Sequence, residues 1–185
     1  MKTYTIIGGV NGSGKSSLTG VLKSRMADLG VVVDVDMLTS KLGVSAVEGG
    51  KAAISIIADC MAKGIDFTQE TTLSGFLVLR TAREAHERGY FVRMFYVAVN
   101  TQEECINRIK NRMEKGGHDV PADTVIRRFQ NRFESLYRVL PYCNEATLFD
   151  NTNGFAQVAE YRNGELIPLV DTRPPWLTEL ICRMS

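Results

Sequence analysis

Short apolar runs alternate along the chain with longer stretches whose apolar residues recur at helical spacing. Residues 4–8 (YTIIG) form a compact apolar run ending in glycines, the pattern of a buried parallel strand. Ser16 to Leu29 carries Leu18, Val21, Leu22, Met26 and Leu29 at helical spacing and stops at Gly30. VVVDV at 31–35 predicts a second strand, and residues 45–63 a helix in spite of Gly49 and Gly50. Ile65 to Gln69 reads as a third strand, Phe76 to Arg88 as a helix ended by Gly89, and Tyr90 to Val99 as a fourth strand, β-branched and aromatic. Thr101 or Asn100 then caps a helix reaching about Glu114, and Asp123 caps another over 124–138. Ala146 to Phe149 is a fifth strand. Residues 155–161 and 165–170 flank Asn163-Gly164, a strong hairpin turn signal, and Pro174-Pro175 opens a short closing helix.

The first strand runs into Gly9-Val10-Asn11-Gly12-Ser13-Gly14-Lys15-Ser16, which fits the pattern G-x-x-x-x-G-K-[ST]. Glycines 12 and 14 let backbone N–H groups turn inward around phosphates without a clashing Cβ. Lys15 offers a cation to the β- and γ-phosphate oxygens, Ser16 a hydroxyl to Mg²⁺, and the helix beginning there aims its positive end at the same anion. Strand before and helix after are the context this motif requires. ATP with Mg²⁺ is the expected ligand, held by Gly9, Asn11, Gly12, Ser13, Gly14, Lys15, Ser16 and Ser17, with Ser16 on the metal.

Alternation of strand and helix implies a parallel sheet with right-handed crossovers. The expected fold is therefore α/β of the P-loop NTPase type. We expect a doubly wound five-stranded parallel sheet in the order 2-3-1-4-5, a helical lid at about 108–128 and a C-terminal β-hairpin over 155–170. With no repeat, linker or low-complexity segment, residues 1–185 form one domain.

Strand ends beside a P-loop form the ligand crevice of such a sheet. Asp34 and Asp36 close the second strand, where Asp36 can take a proton from an acceptor hydroxyl or, alternatively, serve as a helix N-cap. Glu70-Thr71-Thr72 follows the third strand; the alternative there is capping by Thr72 or Ser74. Arg108 and Arg112 are four apart and share a helix face, the Lys115-Gly116-Gly117-His118 segment supplies a break, and Arg127-Arg128 follow. Arginines hinged by glycines suit a lid over a transferring phosphate, with an ordinary solvated surface as the alternative.

Composition narrows the class further. Twenty-two basic and 21 acidic residues give a net charge of +1 over 185 residues, which makes no electrostatic case for nucleic-acid binding. No apolar run approaches the ~20 residues of a membrane span. Cys60, Cys105, Cys143 and Cys182 are scattered, with no zinc-ligand or disulfide spacing, and fit buried free thiols in a cytoplasmic protein. Neither an Asp-Glu strand end of motor-ATPase type nor an Asn-Lys-x-Asp guanine-reading motif is present.

GVNGSGKSS, VDVDML, DFTQETTLSG, GYFVRMFYVAV and NRIKNRMEKGGHDVPADTVIRRF together resemble the zeta-toxin family of P-loop kinases, in particular its short bacterial members. The resemblance runs from the first strand to about Asn151. It implies phosphorylation of the sugar 3′-hydroxyl of UDP-N-acetylglucosamine, and an antitoxin-like protein partner. It also makes Lys15 similar to the family's P-loop lysine and Asp36 to its catalytic base. Glu70 and Thr72 are similar to its acceptor-binding pair, and Arg108 to its first phosphate-binding arginine. The second arginine falls on His118, a departure that leaves His118, Arg112 or Arg128 to take that role. The longer insertions of the larger toxins are absent. A small-molecule kinase is the leading expectation; a non-catalytic ATP-binding protein acting through a protein partner is the alternative, and a nucleic-acid kinase a weaker third.

Overall fold

The computed structural model describes residues 1–25, 28–117 and 119–184. Met26 of the first predicted helix and His118 lie outside the described residues. A seven-stranded sheet organises the chain in the order β2-β3-β1-β4-β5-β6-β7. The strands are β1 (Thr3–Gly8), β2 (Val31–Asp34), β3 (Phe67–Thr71), β4 (Phe91–Ala98), β5 (Glu145–Asp150), β6 (Ala156–Arg162) and β7 (Glu165–Pro168). The first five are parallel in the expected order 2-3-1-4-5. The hairpin is not merely appended: β6 pairs antiparallel with β5 and β7 with β6, so it widens the same sheet. Its strands turn at Asn163-Gly164, both with positive φ, as the turn signal requires.

Side chains alternate across the sheet and divide the core in two. On one face Tyr4, Ile6, Phe67, Met94, Tyr96 and Leu148 pack under α3 (Ala46–Lys63), α4 (Phe76–Glu87), α7 (Arg132–Val139) and α8 (Pro175–Met184). On the other, Ile7, Val97, Phe95 and Phe149 meet Leu18 and Leu22 of α1 (Lys15–Arg25). A third cluster joins Val10 and Val99 to Cys105 and Ile109 of α5 (Gln102–Glu114) and to Val125 and Phe129 of α6 (Ala122–Gln130). This cluster seats the helical lid directly against the P-loop.

Several predicted boundaries shift, each for a local reason. The 31–35 run does not stay extended: Asp34 is its last strand residue and caps α2 (Val35–Leu42), accepting from the backbone N–H of Asp36 at 2.9 Å and of Met37 at 3.2 Å. Asp36 therefore sits in the first turn of a helix, not at a strand end. The third strand runs to Thr71, which places Glu70 inside it. Neither Thr72 nor Ser74 caps α4; Gly75 does so without a side-chain bond, while the two hydroxyls bond each other at 2.8 Å. The 124–138 helix is two helices broken at Asn131, and the first begins at Ala122 behind Pro121, with Asp123 in its first turn. Thr101, of the two candidates, caps α5 in a reciprocal capping box with Glu104. Of the four thiols Cys60, Cys105 and Cys143 are buried and Cys182 is exposed. Among the described residues no helix is long and apolar enough to cross a membrane.

Candidate active site

The P-loop closes tightly because its glycines sit where a side chain has no room. A Cβ on Gly12, at φ +79°, would lie 2.4 Å from the Cys105 carbonyl oxygen; one on Gly14, at φ +108°, would lie 2.3 Å from Asn151 Nδ2. The loop is thus clasped between α5 and the segment after β5. Asn151 completes the clasp by donating from Nδ2 to the Ser13 carbonyl at 2.7 Å. Arg108 braces it from the lid side, Nη2 donating to the Asn151 carbonyl at 2.7 Å and Nη1 to that of Ser13 at 3.5 Å. A relay from Trp176 Nε1 to Asp150, Thr152 Oγ1 to Asp150 and Asn100 Nδ2 to Thr152 fixes the segment in turn.

A cavity of about 900 Å³ opens in front of this loop. Asn11, Gly12, Gly14, Lys15, Ser16 and Ser17 line one wall; Asp34, Asp36, Glu70 and Thr72 line another; Arg108, Arg112 and Arg128 close the lid side. The predicted site residues among those described thus converge on one space, save Gly9 and Ser13, which lie behind it in the loop. His118 lies outside the described residues, so the lid position that the resemblance gave it has no structural account.

Lys15 Nζ donates to the Val10 carbonyl at 3.1 Å, its amine folded across its own loop. Burial pushes its pKa below the ordinary lysine value, and the negative charges of Glu70, Asp36 and Asp34 pull it back up. All three carboxylates line the same cavity as Lys15. Asp34 is itself lifted, first by burial and then by the neighbouring charge of Glu70, against the two backbone N–H groups it caps. Glu70 is turned toward α1: Oε1 accepts from Ser16 Oγ at 2.6 Å and Oε2 from Thr19 Oγ1 at 2.9 Å. The Glu70–Thr72 pair of the expected acceptor site is therefore split, Glu70 to the serine of the P-loop and Thr72 to the Ser74 hydroxyl.

Leu73, between Thr72 and Ser74, sits at φ +60°, a conformation leucine rarely adopts. Its side chain is buried against Gly8, and its N–H bonds Thr71 Oγ1 at 3.1 Å. Strain of this kind persists only where surrounding contacts over-determine it. Arg128 reaches down from α6, donating from Nη1 to Asn11 Oδ1 at 2.7 Å. Thr19 and Asn151 are site residues the sequence reading missed. Thr19 carried a faint signal, lying three residues past Ser16 on one helix face; Asn151 carried none.

Known proteins share the fold that carries this site. An uncharacterized protein of Haemophilus influenzae is 30% identical over 126 residues, covering 65% of this chain and 88% of its own. AvrRxo1-ORF1, solved with its ORF2 partner and ATP, superposes with a TM-score of 0.71 at 18% identity over 97% of this chain; the chain spans 63% of the length of that one. The PezAT toxin–antitoxin system of Streptococcus pneumoniae superposes with a TM-score of 0.61 at 18% identity, over 84% of this chain and 71% of that one. These likenesses show the shared P-loop kinase fold. The zeta toxin family model matches residues 44–154, from the start of α3 to the segment after β5. The chain belongs to the zeta-toxin family.

Proposed function

We propose that this protein is an ATP-dependent phosphotransferase that moves the γ-phosphate of ATP to a hydroxyl of a small acceptor. The observation that carries the reading is the placement of the Asp36 carboxylate and the P-loop Lys15 in the lining of one cavity. In the transfer, the Asp36 carboxylate takes the acceptor's hydroxyl proton as its oxygen bonds to the γ-phosphorus, and the bond from that phosphorus to the bridging oxygen of ADP breaks. Lys15 holds the negative charge on the phosphates, and the inward-facing P-loop backbone N–H groups hold the rest.

Mg²⁺ fits the donor set here. Ser16 Oγ at the start of α1 and Glu70 Oε1 of β3 are hard oxygen donors 2.6 Å apart, the chemistry that this cation selects. When bound it neutralises charge on the phosphate oxygens. Glu70, held by the Thr19 hydroxyl on its other oxygen, orients the Ser16 hydroxyl for it.

The acceptor wall combines the Asp36 carboxylate, the Thr72–Ser74 hydroxyl pair and the apolar Val35, Leu77 and Val78. Hydroxyls beside apolar side chains suit a sugar ring, which supports a UDP-N-acetylglucosamine-type sugar nucleotide as the acceptor. Family membership and the likeness to the PezAT system support an antitoxin-like protein partner. The function is tested by incubating the protein with ATP, Mg²⁺ and a panel of sugar nucleotides and looking for a phosphorylated product by mass spectrometry. A product that needs ATP supports the reading; ATP binding with no product from any acceptor favours the non-catalytic alternative.

A further inference from the structure

The bond between Asn11 and Arg128 joins the P-loop to α6 across 117 residues of sequence. Asn11 is 7% exposed, so the bond is made largely out of water, where leaving either group unpaired is costly. The partner chosen for this cation is neutral. Arg132, one turn further along, is paired instead with the Glu179 carboxylate at 2.7 Å. A carboxylate at position 11 would fix Arg128 and cancel its charge together. An amide oxygen fixes the direction of the guanidinium and leaves the charge whole.

That charge faces the reacting space. Arg128 lines the same cavity as Lys15 and Asp36. Burial pushes the Arg128 pKa down, the Asp36 charge pulls it back up and the Arg127 charge adds to the lowering. A guanidinium carries five N–H donors, of which Asn11 takes one. Arg108 is built differently: its donors go to the carbonyls of Ser13, Asn151 and Thr152, which makes it a brace of the loop.

We propose that Asn11 is a positioning residue that steers Arg128 onto the γ-phosphoryl group without neutralising it, and that Arg128 is the lid arginine that meets this charge. The inference rests on the reading of the cavity as an ATP site. It supplies the second lid arginine, a role for which the sequence offered three candidates.

The experiment compares binding of MgADP with that of the magnesium complex of the β,γ-imido analogue of ATP, by calorimetry. The variants are Asn11→Ala, Asn11→Asp, Arg128→Ala and the double alanine variant. Asn11→Ala and Arg128→Ala should each lose about tenfold more affinity for the analogue than for ADP. The double variant should lose no more than Arg128→Ala alone. Asn11→Asp keeps the hydrogen-bond acceptor, so a purely structural role predicts parental binding; charge cancellation predicts loss of the preference for the analogue. Additive losses in the double variant, equal losses on both nucleotides, or an unchanged ratio in Asn11→Asp would overturn the inference and leave the reading of the site intact. A parent protein that binds neither nucleotide would overturn both.

Discussion

The Glu70 carboxylate bridges two hydroxyls of the helix that follows the P-loop, accepting from Ser16 at 2.6 Å on one oxygen and from Thr19 at 2.9 Å on the other. Under the proposed function this arrangement orients the serine for Mg²⁺. Glu70→Gln keeps a carbonyl oxygen for one hydroxyl and removes the negative charge. The Mg²⁺ concentration needed for half-maximal ATP binding should rise about tenfold or more, as expected when an oriented partner of a metal ligand is lost. Titration of Mg²⁺ at fixed ATP measures it, and an unchanged midpoint would assign Glu70 elsewhere.

Asp34 and Asp36 are two residues apart and do different work. Asp34 accepts from two backbone N–H groups at the start of α2, so Asp34→Ala should cost about 1 kcal/mol of stability. Asp36 is exposed in the first turn, and Asp36→Ala should stay within about 0.5 kcal/mol of the parent. Denaturant midpoints of the two variants provide the comparison. The opposite ranking would return the capping role to Asp36.

What the sequence revealed, and what it hid, follows from range. The P-loop is contiguous, and its glycines, lysine and serine announce themselves. Alternation with helices makes the five strands parallel, and their order is the one that sets the strand ends near Asp36, Glu70 and Gly8 side by side. VVVDV looked like an unbroken strand because apolar content says nothing of Asp34's cap, which turns the chain into α2 one residue early. A continuous helical period over 124–138 concealed the break at Asn131. Asn11 and Arg128, or Glu70 and Thr19, meet only after the sheet has assembled, and no local pattern marks either pair. Leu73 at positive φ was likewise invisible, since the residue type argues against it.

Gly12→Ala tests the clasp around the loop. The added methyl would meet the Cys105 backbone at 2.4 Å in a conformation that side chains resist, so the loop must move. A cost of about 1–3 kcal/mol is expected, together with loss of ATP binding. Thermal melts with and without ATP report both; a parental melt with a full ATP-induced shift would contradict the packing described here.

Lys15 gives the site a pH signature. Its folded pKa lies below that of an unfolded lysine because of burial, so the unfolded chain holds more protons between the two values. Stability of the free protein attributable to this group should therefore rise with pH across that window. ATP favours the charged amine, so its affinity should fall over the same range. Lys15→Met should flatten both trends; trends that survive the substitution would point to another group.

The claim that Asp36 is the base for phosphoryl transfer is tested most directly by initial rates of γ-phosphate transfer at saturating ATP, for the parent and for Asp36→Asn. Asparagine preserves size, and Asp34 rather than Asp36 holds the helix cap, so fold and ATP affinity should be unchanged. The rate should fall by about 10²-fold or more, the usual contribution of a positioned general base. An Asp36→Asn protein that binds ATP normally and transfers phosphate at the parental rate would contradict the account.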